Sequence, residues 1–384
     1  MKRLYKFLAV AVVAVLLALV LFAAFYEPTV PGFSKEDMVE PLTPIIEWPA
    51  GTPPSPSTSI RQTYGYSIEW LMTEVYEYYG GVLRLSLNNT GTHSIFVYGF
   101  GLRYQGSDST LERQAAMLIE PGNEGELGLL AFAGPWPEGS YNYQIRMDLA
   151  VATLDGSHWF DCGEVASVSQ TMNVKNFTEG RSYAVKENPR DLYNQVNGLV
   201  NKTVVQPIAD AIRANNSGNF SIWQVLDAYE WVRANVNYTK DVGGDHWQSP
   251  NETLQMRTGD CEDFALLMDS IIWQLGGNAR FNLIDGHAFA TVFVTADPLH
   301  LNAVRGSVES YYHVSTGTLR ISYIHDDFGY WMVVDPAGFM YGGGMPSLSQ
   351  PAHHAYYSDA WAFESSTWLK TADVTGAQAS WHLF

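Results

Sequence analysis

Two cysteines occur in 384 residues, Cys162 and Cys261. The second has the surroundings that a nucleophile needs. It stands in Arg257-Thr258-Gly259-Asp260-Cys261-Glu262-Asp263-Phe264. Gly259 admits turn conformations that other residues resist. Asp260 is a good N-cap, and Asp263 falls at the partner position of a capping box, where Asp fits less well than Glu. Phe264, Leu267, Met268, Ile271, Ile272 and Leu275 follow at helical spacing, and Gly276-Gly277 ends the run. Cys261 is thus expected in the first turn of a helix, where the helix dipole favours a thiolate. Two readings stay open here, an activated nucleophile and a buried structural cysteine. Asp260, Glu262 and Asp263 would oppose a thiolate if they faced it.

A thiol nucleophile needs a base, and the base needs an orienting group. The histidines in reach are His246, His287, His300, His313, His325, His353 and His354. His93, His158 and His382 fall outside the expected catalytic core. His287 is best placed, because it follows Asp285-Gly286 and opens the apolar run Ala288-Phe289-Ala290-Thr291-Val292-Phe293-Val294. A strand there would hold the ring rigidly; the plain alternative is a histidine at a strand edge. Asp335 ends the run Tyr330-Trp331-Met332-Val333-Val334 and precedes Pro336. If the two strands pair, its carboxylate can hold the imidazole Nδ1–H; otherwise it is a turn-forming Asp-Pro.

Gly-Asp-Cys-Glu-Asp-Phe-Ala-Leu-Leu, then Gly-His-Ala-Phe-Ala, then Trp-Met-Val-Val-Asp-Pro together resemble the transglutaminase-like superfamily of papain-type fold, in a membrane-anchored prokaryotic form. The approach also looks like that family: Trp231-Val232, Asn235-Val236-Asn237-Tyr238-Thr239, Trp247-Gln248-Ser249-Pro250 and Glu252-Thr253-Leu254. The resemblance runs over about 221–338, with the order Cys, His, Asp. It implies Cys261 as nucleophile, His287 as general base and acid, and Asp335 as orienter. It also implies that the Trp247 indole helps bind an oxyanion, with the Cys261 backbone N–H as second donor. Two departures stand out. Phe289 stands where the family often has Trp, and 295–329 looks like an inserted hairpin or loop.

The elements that must position these residues form an α+β layout: helices packed on an antiparallel sheet, preceded by a β-sandwich and an N-terminal transmembrane helix. Residues 191–214 and 221–235 read as helices, with Ile222, Val225, Leu226, Tyr229, Val232 and Val236 on one face. A short helix is expected at 252–257. Strands are expected at 279–284, 287–294, 319–324 and 330–334. Residues 60–175 alternate with period two between Gly/Pro/Asn turns, which suggests the sandwich. There 82–87 and 94–102 read as partner strands about the turn 88–92, and Trp159 and Cys162 read as packing. The transglutaminase-like domain is placed at 185–345. A C-terminal extension, 346–384, contains Trp361, Phe363, Trp368 and Trp381 and is expected to fold back on the core.

Lys2, Arg3 and Lys6 precede an apolar run at 7–25. The run approaches the ~20 residues that span a bilayer and reads as an uncleaved anchor; the competing reading is a cleaved signal peptide, whose apolar region is usually shorter and whose Ala-x-Ala cleavage site is missing here. The flanking charges put the N-terminus in the cytoplasm and the bulk of the chain outside. This anchor, 1–27, is followed by a Pro/Ser/Thr-rich linker, 28–59, expected to act as an extended spacer. Seven Asn-x-Ser/Thr sequences, headed by Asn88, Asn176, Asn201, Asn215, Asn219, Asn237 and Asn251, agree with an exterior location.

The formal net charge of −18 excludes sequence-general nucleic-acid binding, which needs a basic face. Two distant cysteines make no disulfide framework, although a bond between them is not excluded by sequence. Asp260, Glu262 and Asp263 lack EF-hand spacing, and His353-His354 lack a third ligand, so no metal is expected. No cofactor motif is present. These readings converge on a membrane-anchored extracytoplasmic cysteine enzyme that acts on amide bonds of a protein or peptide through a thioester. Hydrolysis of peptide or isopeptide bonds is the favoured outcome. The alternatives are cross-linking acyl transfer, and a non-catalytic cell-surface binding or assembly protein with an idle core.

Overall fold

The computed structural model describes residues 11–17, 30–48, 51, 65–77, 80–106, 111–135, 137–167, 169–176, 184–241, 244, 246–315, 318–337, 339–344 and 368–379. Alternating residues build the N-terminal strands: β1 (Ser67–Met72), β2 (Val75–Tyr76), β3 (Gly81–Asn88), β4 (Ile95–Tyr104), β5 (Leu111–Ile119), β6 (Glu124–Phe132), β7 (Gly139–Ala152), β8 (Trp159–Ala166) and β9 (Gln170–Lys175). They form one sheet in the order β1-β3-β6 and another in the order β2-β9-β7-β4-β5, with β8 on β7. Leu83, Leu85 and Leu87 from the first sheet share a core with Val97, Leu102, Ile145, Met147 and Leu149 from the second. Trp159 meets Phe96 edge-on, and Cys162 packs on this core.

One expected pairing is corrected. β3 and β4 do not form a hairpin: β3 pairs with β1 and β6, whereas β4 pairs with β5 and β7. Both strands carry an apolar face toward the same core, so they lie in different sheets rather than side by side.

The C-terminal part begins with β10 (Ala184–Glu187), α1 (Arg190–Leu199), α2 (Lys202–Asn215), α3 (Ile222–Asn235) and β11 (Asn237–Tyr238). It continues with α4 (Pro250–Met256), β12 (Thr258–Gly259), α5 (Cys261–Leu275), β13 (Ala279–Ile284) and β14 (His287–Thr295). Then come α6 (Leu301–Tyr311), β15 (Tyr323–Asp326), β16 (Gly329–Val334) and β17 (Trp368–Asp373). The expected single helix over 191–214 is two helices. Asn201 breaks it, because its side-chain oxygen accepts the Thr203 and Val204 N–H groups and starts α2.

The six-stranded sheet runs β10-β17-β13-β14-β16-β15. All its pairings are antiparallel except β10–β17. One face buries Ala288, Ala290, Val292 and Val294 against the helices, and the other buries Phe289, Phe293, Trp331 and Leu369.

Three further expectations change. The supposed insertion at 295–329 contains α6, whose Val304 and Val308 join the main core. The tail supplies β17, a strand inside the sheet between β10 and β13, so this part of the extension completes the fold; Trp361, Phe363 and Trp381 lie outside the described residues. The linker is docked over 30–48 rather than free. Phe33 stacks on Trp331, Leu42 exchanges backbone hydrogen bonds with Phe220 and Ile222, and Trp48 stacks on His313 at 3.5 Å. Its aromatic residues find partners, which the proline content concealed. Burial under this strap lowers the His313 pKa to about 4. The expected anchor at 7–25 lies mostly outside the described residues. Residues 11–17 are helical, and among the described residues no helix is long and apolar enough to cross a membrane.

Asp269 lies two turns into α5, fully buried, and neither carboxylate oxygen has a hydrogen-bond partner among the described residues. Burial pushes its carboxyl well above the usual range. The raised pKa sets the sign: the contribution to stability is whole below the unfolded pKa and is lost as pH rises toward the folded one. Asp269→Asn, which cannot titrate, should therefore stabilise the protein increasingly above pH ~4, by at most about 1.4 kcal/mol per pH unit. Urea unfolding midpoints of both proteins at acidic and alkaline pH check this. A gap that does not widen with pH would contradict it.

Candidate active site

The site is built on the start of α5. Phe264, Leu267, Met268, Ile271 and Ile272 are buried on this helix, which packs against β13 and β14. Its N-terminus is fixed by Asp263, whose Oδ2 accepts the Asp260 N–H at 3.1 Å, the capping-box contact expected from sequence. Gly276 in the left-handed region ends the helix. Gly259 has a different role from the one expected. It lies in β12 without a positive φ, and an added Cβ there would come within 2.7 Å of the Asp263 side chain. The glycine is needed for space.

Cys261 is buried and reduced, as is the distant, half-buried Cys162, so no disulfide joins them. The Cys261 sulfur accepts a hydrogen bond from the Ala288 N–H. That contact brings the thiol to the strand that begins at His287. His287 and Asp335 are each 2% exposed. The ring Nε2 meets Asp335 Oδ2 at 2.8 Å. Pairing of β14 with β16 in the register Ala290↔Val334 makes this possible, because Asp335 is the next residue along. Asp335 Oδ1 meanwhile accepts the Ala337 N–H at 3.0 Å. The turn-forming and histidine-holding readings of this aspartate are therefore both met, one by each oxygen.

The ring is reversed from expectation, with Nε2 rather than Nδ1 on the aspartate. Nδ1 is the nitrogen nearer the main chain, and the main chain at Ala288 is where the sulfur lies. With Nε2 on Asp335, Nδ1 is the ring nitrogen not engaged by that carboxylate oxygen.

Trp247 is half-buried and packs on Phe281 of β13, ring centroids 4.9 Å apart. The next residue ties its loop to the nucleophile helix: the Gln248 N–H donates to Asp263 Oδ1 at 2.7 Å. Asp263 thus holds two segments, the turn before Cys261 and the tryptophan loop. Burial pushes its carboxyl up to about 7, against the lowering pull of these two N–H groups. Each of its oxygens accepts a backbone N–H, and the acidic grouping near the sulfur consists of Asp260 and Glu262 without it.

Glu262 was left without a role by the sequence, and the structure supplies one. The Cys261 S–H donates to Glu262 Oε2 at 2.9 Å. Burial pushes the thiol pKa up, the Glu262 charge and hydrogen bond push it further, the Ala288 N–H pulls it down, and Asp260 adds a smaller upward push. The helix dipole does not win here. Of the three nearby acids, Glu262 bonds the sulfur and a carboxylate oxygen of Asp260 also lies within 4.8 Å of it; which acids come close depends on side-chain rotamers that no spacing rule reveals.

The other histidines stand apart from this cluster. His313 lies under Trp48, His325 stacks on Tyr330, His300 reaches Thr295 and Glu40, and His246 is exposed. His353 and His354 lie outside the described residues.

No curated protein matches the chain. A solved structure of a candidate cysteine protease from Cytophaga hutchinsonii is similar over 60% of this chain and 75% of its own, at 11% identity and a TM-score of 0.21. Residues 206–336 match the family described as the transglutaminase-like superfamily. That span contains Cys261, the His287–Asp335 pair and the Trp247 loop, so this part of the chain matches as a transglutaminase-like domain.

Proposed function

We propose that the chain is a cysteine enzyme that cleaves amide bonds of peptides or proteins through a thioester. The observation that carries this reading is the buried His287–Asp335 pair at the strand whose second residue holds the Cys261 sulfur. In this reaction the sulfur attacks the amide carbonyl while its proton passes to His287 Nδ1. Asp335 keeps the ring oriented through Nε2 and balances the imidazolium that forms. The carbonyl oxygen, now an oxyanion, is met by the Cys261 backbone N–H and the Trp247 indole N–H. His287 then protonates the departing amine. Water, activated by the same histidine, resolves the thioester and regenerates the thiol. An amine in place of water would make the reaction a cross-link. Hydrolysis is preferred because a water nucleophile is always at hand outside a cell.

The rest of the reading follows the sequence. The segment 7–25 anchors the chain in a membrane with the bulk outside, and the two sheets of 60–175 form a sandwich that carries the catalytic domain. The ion pairs of Arg84 on β3 with Glu126 on β6 (2.7 Å) and with Glu230 on α3 (2.9 Å) support a fixed seat between them.

Peptide-library digestion by the folded exterior part, with and without added glycine methyl ester and read by mass spectrometry, tests the chemistry. Cys261→Ala should abolish turnover, and His287→Ala should lower kcat roughly a hundredfold to ten-thousandfold. Products that incorporate the ester would select transfer over hydrolysis. No turnover by the wild type, with Cys261 no more reactive than Cys162, would leave the non-catalytic reading standing.

A second expectation concerns the tryptophan loop. Asp263→Ala leaves the Gln248 and Asp260 N–H groups unmatched and frees the loop from the nucleophile helix. It should cost about 2 kcal/mol or more in urea unfolding. It should also lower kcat by about 10- to 100-fold with little change in KM, because it misplaces an oxyanion donor rather than a substrate contact. A mutant with normal kcat and lowered stability would remove Trp247 from the mechanism.

A further inference from the structure

The acid that faces the nucleophile is chemically unexpected. A thiol about to surrender its proton to His287 would be served by a hydrogen bond to that histidine. Here the described S–H bond goes to Glu262 Oε2 at 2.9 Å. Glu262 is the second residue of α5, half-buried, and its oxygen approaches the sulfur from the same helix end. A carboxylate in that position accepts a hydrogen bond but does not take the proton, since an ordinary thiol is the weaker acid by about four pKa units. It also makes ionisation harder, because the thiolate would lie against a negative oxygen with no proton between them.

Resting on the catalytic reading above, we propose that Glu262 is a catalytic residue that acts as a brake. It holds the resting nucleophile as a neutral thiol, and it must turn away before Cys261 can attack.

The surrounding groups fit this role. From the helix side the sulfur meets Glu262 and, less strongly, Asp260. From β14 it meets the Ala288 N–H, with His287 adjoining. From β11 the Tyr238 phenol feels the charges of Cys261, Asp260, Glu262 and Asp335, and burial keeps that phenol protonated. The Asp335 charge is committed to His287. Among these groups, the opposing influences on the thiolate are the Ala288 N–H and, once protonated, His287. Glu262 is not fixed by a capping bond, because the capping partner is Asp263. Its side chain is therefore the part of this cluster that can rotate outward into solvent.

When it does so the step is complete without a co-reactant. The S–C bond forms, the carbonyl π pair moves onto oxygen, and the thiol proton goes to His287 Nδ1. Substrate arrival is the natural trigger, because an amide lying over the sulfur occupies the space that the Glu262 oxygen fills at rest. The enzyme would then idle as an unreactive thiol in the absence of substrate, protected from oxidation and stray electrophiles, which attack the thiolate.

The test is the pH dependence of Cys261 alkylation by iodoacetamide, followed by peptide mass spectrometry with Cys162 as internal reference. It compares wild type, Glu262→Gln, Glu262→Ala and His287→Ala, each first shown to be folded by circular dichroism. Glu262→Gln keeps the shape and removes the charge. It should move the alkylation midpoint down by about one pH unit or more, and raise the rate at pH 7 by about tenfold. Glu262→Ala, which also removes the acceptor, should do at least as much, and Cys162 should not change.

A midpoint and rate that stay within about twofold of wild type in both Glu262 variants overturn the proposal. So does a slower reaction, which would make Glu262 a helper of ionisation instead. Peptide hydrolysis keeps the two readings apart. If His287→Ala hydrolyses as wild type does, the catalytic assignment falls whatever Glu262 does. If His287→Ala and Cys261→Ala lose hydrolysis while the Glu262 variants alkylate as wild type, only the brake falls.

Discussion

A helix buried on nearly every side can begin only where its unmatched N–H groups find acceptors. For α5 that acceptor is Asp263, and much of the site follows from it. One carboxylate oxygen closes the turn before Cys261, and the other takes the Gln248 N–H. The same side chain therefore fixes where the nucleophile stands and how far away the tryptophan loop lies. Gly259 gives way to it by lacking a Cβ, and the parallel pairing of β11 with β12 ties Asn237-Tyr238 to the same turn. The sheet supplies the other half. Its register sets Asp335 beside His287, and the buried face of α5 presses the cysteine onto Ala288.

The charge balance at the sulfur shows which effects dominate. A helix N-terminus offers a thiolate roughly 0.3–1 kcal/mol at an exposed site and about 2 at a buried one. Removing a charged group from water costs several kcal/mol. Cys261 is 9% exposed, and the nearby acid adds repulsion to that cost. The neutral thiol follows from this comparison. A nucleophilic cysteine therefore need not rest as a thiolate, provided that something present only during turnover reverses the balance. In the proposed mechanism protonated His287 would do so, because the ion pair would form as the proton moves and Asp335 would stabilise the imidazolium from its far side.

The local parts of this arrangement were legible in the sequence. The start and end of α5 were written in Asp260, Asp263 and Gly276, and β13 was readable to the residue from its apolar run. His287 and Asp335 could be paired because each sits at the end of a strand. The distant parts were not legible. Alternation marks β3 and β4 as strands but says nothing of which sheet each joins. β17 completes the sheet from beyond residue 367, and no local pattern reveals a partner so far along the chain. α6 was hidden because its apolar face is narrow, with Val304 and Val308 set among polar residues and Gly306. At the site, the ring orientation of His287 and the facing of Glu262 depend on rotamers, which packing decides.

The seat of the N-terminal sheets bears on how much the transglutaminase-like part can move against them. β3 is buried on both faces: Leu83, Leu85 and Leu87 enter the core between the sheets, while Val82 joins the catalytic core. Arg84, on that second face, pairs with Glu126 of its own sheet and Glu230 of α3, and donates to the Met340 carbonyl at 2.7 Å. Tyr312 donates to Glu230 and Arg233 adds a bond to it, so the cluster draws on both parts of the molecule. Arg84 is buried, whereas Glu126 is half-exposed and Glu230 partly exposed, so the pairs are screened and add little net stability, yet drawing both acids away would leave a buried guanidinium without its carboxylates. Such a contact resists gradual sliding. The strap over 30–48 adds a second tie, since it crosses the sheet at Phe33 and Trp331 and the edge of α6 at Ser310. The transglutaminase-like part is thus held by two separate segments of the chain that precedes it. With these ties in place, the proposed release of the Cys261 sulfur asks only for a side-chain rotation at Glu262 and not for a movement of one part of the molecule against the other.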